Sequence, residues 1–319
     1  MGKNSMIRVV VDPGCPAGVP ETVEAMPGLD VVLAPDRDAV AAELAAGAEV
    51  LVTSYWRDDF LTQNLRWVAG NGAGTEQYPL EQFRRNGIEL TTAHGVHAAC
   101  VAEHAFGLLL GVTRAIGLAG RNAVTHSWAP TTTDELGGKK MGIIGLGRVG
   151  EEVARRAIAW DMEVAGLKRT PARYEGCVSV VRGPDALHEL CRWADVLMIT
   201  APATDETRGL IGTEELALLG AGWLVNVGRG PLVDSDALLV ALRDGALRGA
   251  GIDVTDPEPL PQDSPLWDRP DLVITPHIAG DGPNFAPRWA RIFERNLHAY
   301  AGGGNWQNRF EHVGPGADA

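Results

Sequence analysis

Residues 140–160 read KMGIIGLGRVGEEVARRAIAW. The stretch 140–144 is an apolar run of strand length, Gly145-Leu-Gly147-Arg-Val-Gly150 is a GxGxxG loop, and 149–160 has the spacing of a helix. Between a strand and a helix each glycine has its own task. The first permits a tight turn, the second lets a pyrophosphate approach the backbone, and the third lets helix and strand pack closely. The helix N-terminus then offers amide donors to the anion. A bare GxGxxG is a weak pattern, but this setting predicts a dinucleotide-binding fold, with Gly145, Leu146, Gly147, Arg148, Val149 and Gly150 in the cofactor loop.

Downstream the alternation continues, with strands expected at 162–167, 196–200, 223–227, 250–254 and 272–275 and helices such as 236–243 between them. Six strands with intervening helices suit a doubly wound parallel sheet. Upstream, a separate series places strands at 7–11, 31–33, 50–53, 65–69 and 88–91. Helices are expected at 36–46, where Asp36 is an N-cap candidate, and at 79–86. A long helix over 98–119 reads as a connector, and a last helix, 286–300, leaves a tail too short for a domain. The fold class is therefore α/β, with two Rossmann-like or flavodoxin-like units. Residues 1–98 with 287–319 are expected to form a discontinuous substrate-binding domain, and 99–286 the dinucleotide-binding domain.

Composition narrows the function. Of 319 residues, 45% are hydrophobic and 22% charged, enough to bury two cores. The net charge of −13 and the scattered basic residues argue against a nucleic-acid groove. The four cysteines show no CxxC spacing, which disfavours a zinc site or disulfide framework and suits a reducing, cytoplasmic compartment. The most apolar segment, 105–112, is far short of the roughly 20 residues that span a bilayer, so no membrane partner is expected.

Three titratable or charged residues each follow a strand. Arg229 lies in Asn226-Val-Gly-Arg-Gly230, Glu258 follows Gly251-Ile-Asp-Val254, and His277 lies in Thr275-Pro-His277. Loops at the carboxyl ends of parallel strands line the ligand crevice, so all three should converge on the cofactor side. With the glycine loop, Ala201-Pro-Ala-Thr204 and Thr207-Arg-Gly-Leu210, this ordered set resembles the D-isomer-specific 2-hydroxyacid dehydrogenases over nearly the whole chain. The resemblance implies two domains with the active site in the cleft between them, a nicotinamide cofactor, a small 2-oxo acid substrate and a homodimer. It makes Arg229 the carboxylate clamp, His277 the acid/base and Glu258 its partner. It also implies that Ala73 and Gly74 offer amides to the substrate carboxylate and that Tyr55 and Trp56 face the substrate side chain, unless they cap a core. Ala201, Pro202, Thr207, Val227, Gly228 and Asp253 are implied on the cofactor side, Asp253 at the carboxamide. His104, in Ala102-Glu103-His104, reads as packing. No metal is implied. After His277 the run Ile278-Ala-Gly-Asp-Gly-Pro283 departs from the Ser/Ala/Thr-rich segment of many members.

The chemistry agrees with those roles. Reducing a 2-oxo acid adds a hydride to carbon and a proton to oxygen. A histidine beside a carboxylate can supply that proton near neutral pH, and a guanidinium grips a planar carboxylate with two parallel hydrogen bonds. NAD-specific domains carry an acidic residue about 20 positions after the glycine loop. Here Lys168, Arg169 and Thr170 stand at that strand end, so NADP(H) is expected over NAD(H). Two neighbouring readings share the scaffold: a dinucleotide-sensing corepressor-like protein, and a phosphite or formate dehydrogenase, the formate branch being disfavoured by Glu258.

Overall fold

In the first series, four of the five strands lack the polar alternation of a half-solvated sheet, as expected for a sheet covered by helices on both faces. The computed structural model describes residues 6–75 and 77–310. Its strands there are β1 Ile7–Val11, β2 Leu29–Leu33, β3 Val50–Thr53, β4 Trp67–Gly70 and β5 Glu89–Thr91. All are parallel in the order β2-β1-β3-β4-β5, with Val9 opposite both Val31 and Val50. Helices α1 Val19–Glu24, α2 Arg37–Ala45 and α3 Leu80–Asn86 follow in sequence. The expected cap is present: Asp36 Oδ1 accepts from Ala39 N at 2.8 Å. Helix α1 was not anticipated, its six residues being too few for a readable period.

The chain divides into two compact units, Met1–His97 with Gly282–Ala319, and Ala98–Asp281. It re-enters the first unit at Gly282, where the sequence placed the return at 287. The C-terminal helix Phe285–Tyr300 closes the first sheet. Trp289 stacks on Phe293 at 4.8 Å, and Phe293 on Trp67 at 5.0 Å. Both indoles are buried and bonded, Trp289 Nε1 to Gly70 O and Trp67 Nε1 to Thr91 Oγ1. A buried indole of this kind contributes about 3–5 kcal/mol against alanine.

The second unit carries seven parallel strands rather than six. These are β6 Lys140–Ile144, β7 Glu163–Leu167, β8 Val180–Arg182, β9 Val196–Ile199, β10 Trp223–Asn226, β11 Gly249–Ile252 and β12 Leu272–Ile274. Their order is β12-β11-β10-β9-β6-β7-β8, which puts the topological switch point between β6 and β9. Helices α4 Ala98–Thr113, α5 Ile116–Val124, α6 Arg148–Ala159, α7 Leu187–Trp193, α8 Thr213–Leu219 and α9 Ser235–Arg243 cover it.

The long connector helix is in fact two helices. Ala115 takes a left-handed φ of 52°, and α4 and α5 meet at a bend of 69°. The Thr113 hydroxyl bonds back to Leu109 O at 2.8 Å, a contact that bends helices. At Gly117 a Cβ would lie 2.6 Å from Val273, so only glycine lets α5 settle there. Among the described residues no single helix is long and apolar enough to cross a membrane. The bent pair passes that test only together, and α4 buries Ala102, Ala105, Leu108 and Leu109 in the core.

Candidate active site

The glycine loop follows β6, in the middle of its sheet. Gly145 has φ +100°, and a Cβ there would lie 2.7 Å from the backbone of Ala201. At Gly150 a Cβ would lie 2.4 Å from Gly145 O, so helix and loop could not close. At Gly147 nothing stands within 4 Å, which leaves open space above the backbone. Gly147 is also the N-cap of α6 and carries no side-chain cap, so the first amides of α6 lack a side-chain acceptor. The donors and the clearance suit a pyrophosphate. The side chains of Leu146 and Val227 are buried, and Val149 packs against the same core, so their route to a ligand is the backbone; Arg148 is exposed.

Neighbouring strand ends are tied to this loop. Thr200 Oγ1 donates to Gly145 O at 2.7 Å. Ala201 is wedged between Gly145 and Gly228, where a Cβ would come 2.7 Å from Ala201 O. Thr207 Oγ1 donates to Pro202 O at 2.8 Å and accepts from Thr204 N at 2.7 Å, so it shapes the 202–207 loop. At the end of β7, Lys168 is half-buried with Nζ donating to Leu146 O at 2.9 Å, while Arg169 and Thr170 are exposed. Arg173 is exposed on the next turn, a further cation that the sequence reading passed over.

Arg229, Glu258 and His277 follow the adjacent strands β10, β11 and β12. His277 Nδ1 and Glu258 Oε1 are 2.9 Å apart, both side chains partly exposed. That pairing leaves Nε2 as the ring atom turned to other partners. Arg229 is exposed and donates from one terminal nitrogen to Gly228 O at 2.8 Å; among the described residues it forms no ion pair. Its turn is braced by a residue the sequence reading missed. Asn226, 1% exposed, donates to Arg229 O at 3.0 Å and accepts from Gly228 N at 3.0 Å. An Asn two residues before a Gly is a turn signal that could have flagged it. Gly230 is equally constrained, since a Cβ would lie 1.8 Å from Thr255 O.

Asp253 is 2% exposed, and its carboxylate is already well occupied. Oδ1 accepts from Thr275 Oγ1 at 2.6 Å and Ile278 N at 3.0 Å, and Oδ2 from Ala279 N at 2.9 Å. It holds the turn that carries His277.

On the first unit, Ala73 is exposed in the loop after β4. Among the described residues the amides of Ala73 and Gly74 have no protein acceptor. Of the two aromatics, Trp56 is drawn into the core, edge-on to Phe83 at 4.7 Å and Phe60 at 6.0 Å. Tyr55 stays 38% exposed with the Arg37 guanidinium 3.6 Å above its ring. Tyr55 is therefore the more exposed ring of the pair, with Trp56 half-buried. His188, Glu214 and Glu215 approach one another. Glu215 bonds His188 Nε2 at 2.9 Å and caps α8 through Gly212 N, a helix cap and ion pair.

Comparison with known proteins follows the same lines. A sequence model described as D-isomer specific 2-hydroxyacid dehydrogenase, NAD binding domain, matches residues 106–279. A glyoxylate reductase of Thermofilum pendens is 34% identical over 245 residues, 74% of this chain and 72% of the relative. A glyoxylate/hydroxypyruvate reductase B of Yersinia pestis is 34% identical over 258 residues, 77% of this chain and 78% of the relative. Among solved structures, an NADPH-dependent glyoxylate/hydroxypyruvate reductase from Sinorhizobium meliloti, in complex with NADP and malonate, superposes with a TM-score of 0.77. It is 27% identical, and the match covers 96% of this chain and 97% of that one.

Proposed function

This chain belongs to the D-isomer-specific 2-hydroxyacid dehydrogenase family, and from that premise we propose that it reduces small 2-oxo acids to D-2-hydroxy acids, with NADPH as the preferred cofactor. The observation that carries the reading is the 2.9 Å His277–Glu258 pair at the carboxyl end of the sheet that bears the glycine loop. Glyoxylate and hydroxypyruvate are the first substrates to try, as the relatives' names suggest.

Gly145 to Gly150 would hold the dinucleotide, which when bound would supply the hydride for the carbonyl carbon. His277 gives the proton from Nε2 to the carbonyl oxygen, while Glu258, 2.9 Å from Nδ1, orients the ring. Arg229 holds the substrate carboxylate in its guanidinium fork. The free amides of Ala73 and Gly74 have the donor character a carboxylate also needs. The test is turnover on a panel of 2-oxo acids, followed by loss of nicotinamide absorbance. Tight dinucleotide binding without turnover on any of them would favour a sensor instead.

Cofactor preference rests on Lys168, Arg169 and Thr170. Lys168 uses one of three N–H groups on Leu146 O, and Arg169 is exposed. Two cations and a hydroxyl attract a 2′-phosphate, where a carboxylate would repel it. The kcat/KM for NADPH is expected to exceed that for NADH by about tenfold or more, equivalent to about 1.4 kcal/mol. In a Lys168→Asp, Arg169→Ala double variant the preference should vanish or reverse. Equal constants in the wild type would remove these residues from the choice.

The chain is also proposed to act as a homodimer. Trp128 is 96% exposed on a single chain, so it is not buried within its own subunit. Helix α5 buries no residue, with Ile116 59% and Val124 82% exposed. Sedimentation should give twice the 33.9 kDa chain mass, and Trp128→Asp should shift it toward one chain. A wild type that sediments as a single chain would dispose of the dimer.

A further inference from the structure

We propose that α4 positions the acid/base, with His104 as the positioning residue acting on His277 through Thr275 and Asp253. The inference rests on the function proposed above and adds a residue that the sequence assigns only to packing.

His277 sits at φ +55°, in the left-handed region that a non-glycine residue occupies only when its surroundings hold it there. The hold comes from Asp253. His277 N donates to Asp253 O at 2.8 Å, and the carboxylate accepts from the next two amides, Ile278 N and Ala279 N. The carboxylate is itself aimed by the Thr275 hydroxyl at 2.6 Å. An ionised carboxylate can only accept, so the single Thr275 proton points to Asp253. Thr275 Oγ1 must then accept at its other short contact, 2.8 Å from His104 Nε2, so Nε2–H is the donor. His104 Nε2 also lies 3.4 Å from Asp253 Oδ1.

A second tie stands one turn earlier on the same helix face. Cys100 Sγ donates to Gly280 O at 3.2 Å. Residues four apart on α4 thus hold the two ends of the loop that carries His277, Thr275 at one and Gly280 at the other. The His104 side chain is 23% exposed, and among the described residues its ring stacks on no other ring. Its polar atom, rather than its bulk, connects α4 to the loop.

Two variants and two readouts test this. His104→Leu removes the donor and keeps an apolar side chain, while His104→Gln keeps an N–H close to the Nε2 position. With Leu, kcat should fall by about 10–100-fold, the scale of a misplaced catalytic group. KM for the oxo acid should stay within about twofold, because Arg229, the carboxylate clamp, lies outside the network. Gln should restore most of kcat. Independently of turnover, amide exchange in a peptide covering 275–281 should quicken about tenfold with Leu while β6 is unchanged. Unaltered exchange at 275–281 overturns the proposal, as does equal loss of kcat in Leu and Gln with exchange raised throughout the unit. If the wild type reduces no 2-oxo acid, the function reading fails, and the exchange measurement still decides the role of His104.

Discussion

Replacing His277 with alanine is expected to lower kcat by about 10²-fold or more, the usual contribution of a positioned general acid. Glu258 sits 2.9 Å from Nδ1, so Nε2 is the atom available to deliver a proton. Without the ring the carbonyl oxygen must take its proton from water. The dissociation constant for NADPH should be unchanged, because none of the loop contacts from Gly145 to Gly150 involves His277. Stopped-flow reduction of the best oxo acid and a separate fluorescence titration of cofactor make the comparison. Near-normal reduction by the variant would take His277 out of the chemistry.

The second large effect concerns Arg229→Lys, which is expected to lower kcat/KM by roughly 10- to 100-fold. A hydrogen bond to a charged group contributes about 1.5–3 kcal/mol, and the shorter variant gives up one of the two parallel bonds a guanidinium can make. Lysine would also lose the contact that steadies the native side chain, the 2.8 Å bond to Gly228 O. The loss should fall mainly on KM, because a carboxylate is gripped in the ground state as well as the transition state. If the lysine enzyme kept wild-type KM and kcat, the carboxylate clamp would have to be sought elsewhere.

Both sheets were legible because their strands are apolar runs that helices cover, a local property of the sequence. The glycine loop was legible for a similar reason: a strand and a helix flank it directly. What escaped depends on distant contacts. Strand β8 is three residues with exposed Val180 and Arg182, so no apolar pattern announced it. The break between α4 and α5 lies at Ala115, and the seat of α5 beyond it depends on Val273, more than a hundred positions away, which fills the space over Gly117. Sequence order could place Tyr55 and Trp56 in one loop, yet only packing against Phe60 and Phe83 separates the half-buried ring from the exposed one. Asp253 shows the same limit. The motif marks it as important, while its three bonds to the 275–279 segment disclose what it holds.

The discontinuous first unit bears on how the chain matures during synthesis. Its five strands are complete on the ribosome once Thr91 has been added. The helix that covers Trp67 with Phe293 begins only at Phe285. At roughly 5–20 residues per second, the intervening stretch takes about 10–40 s to translate. Through that interval Trp67 and the apolar face around it lack their final cover, while the second unit, contiguous from Ala98 to Asp281, gains its last residue before that helix begins. The N-terminal sheet is therefore the aggregation-exposed part of the nascent chain, and the unit translated first is the one finished last.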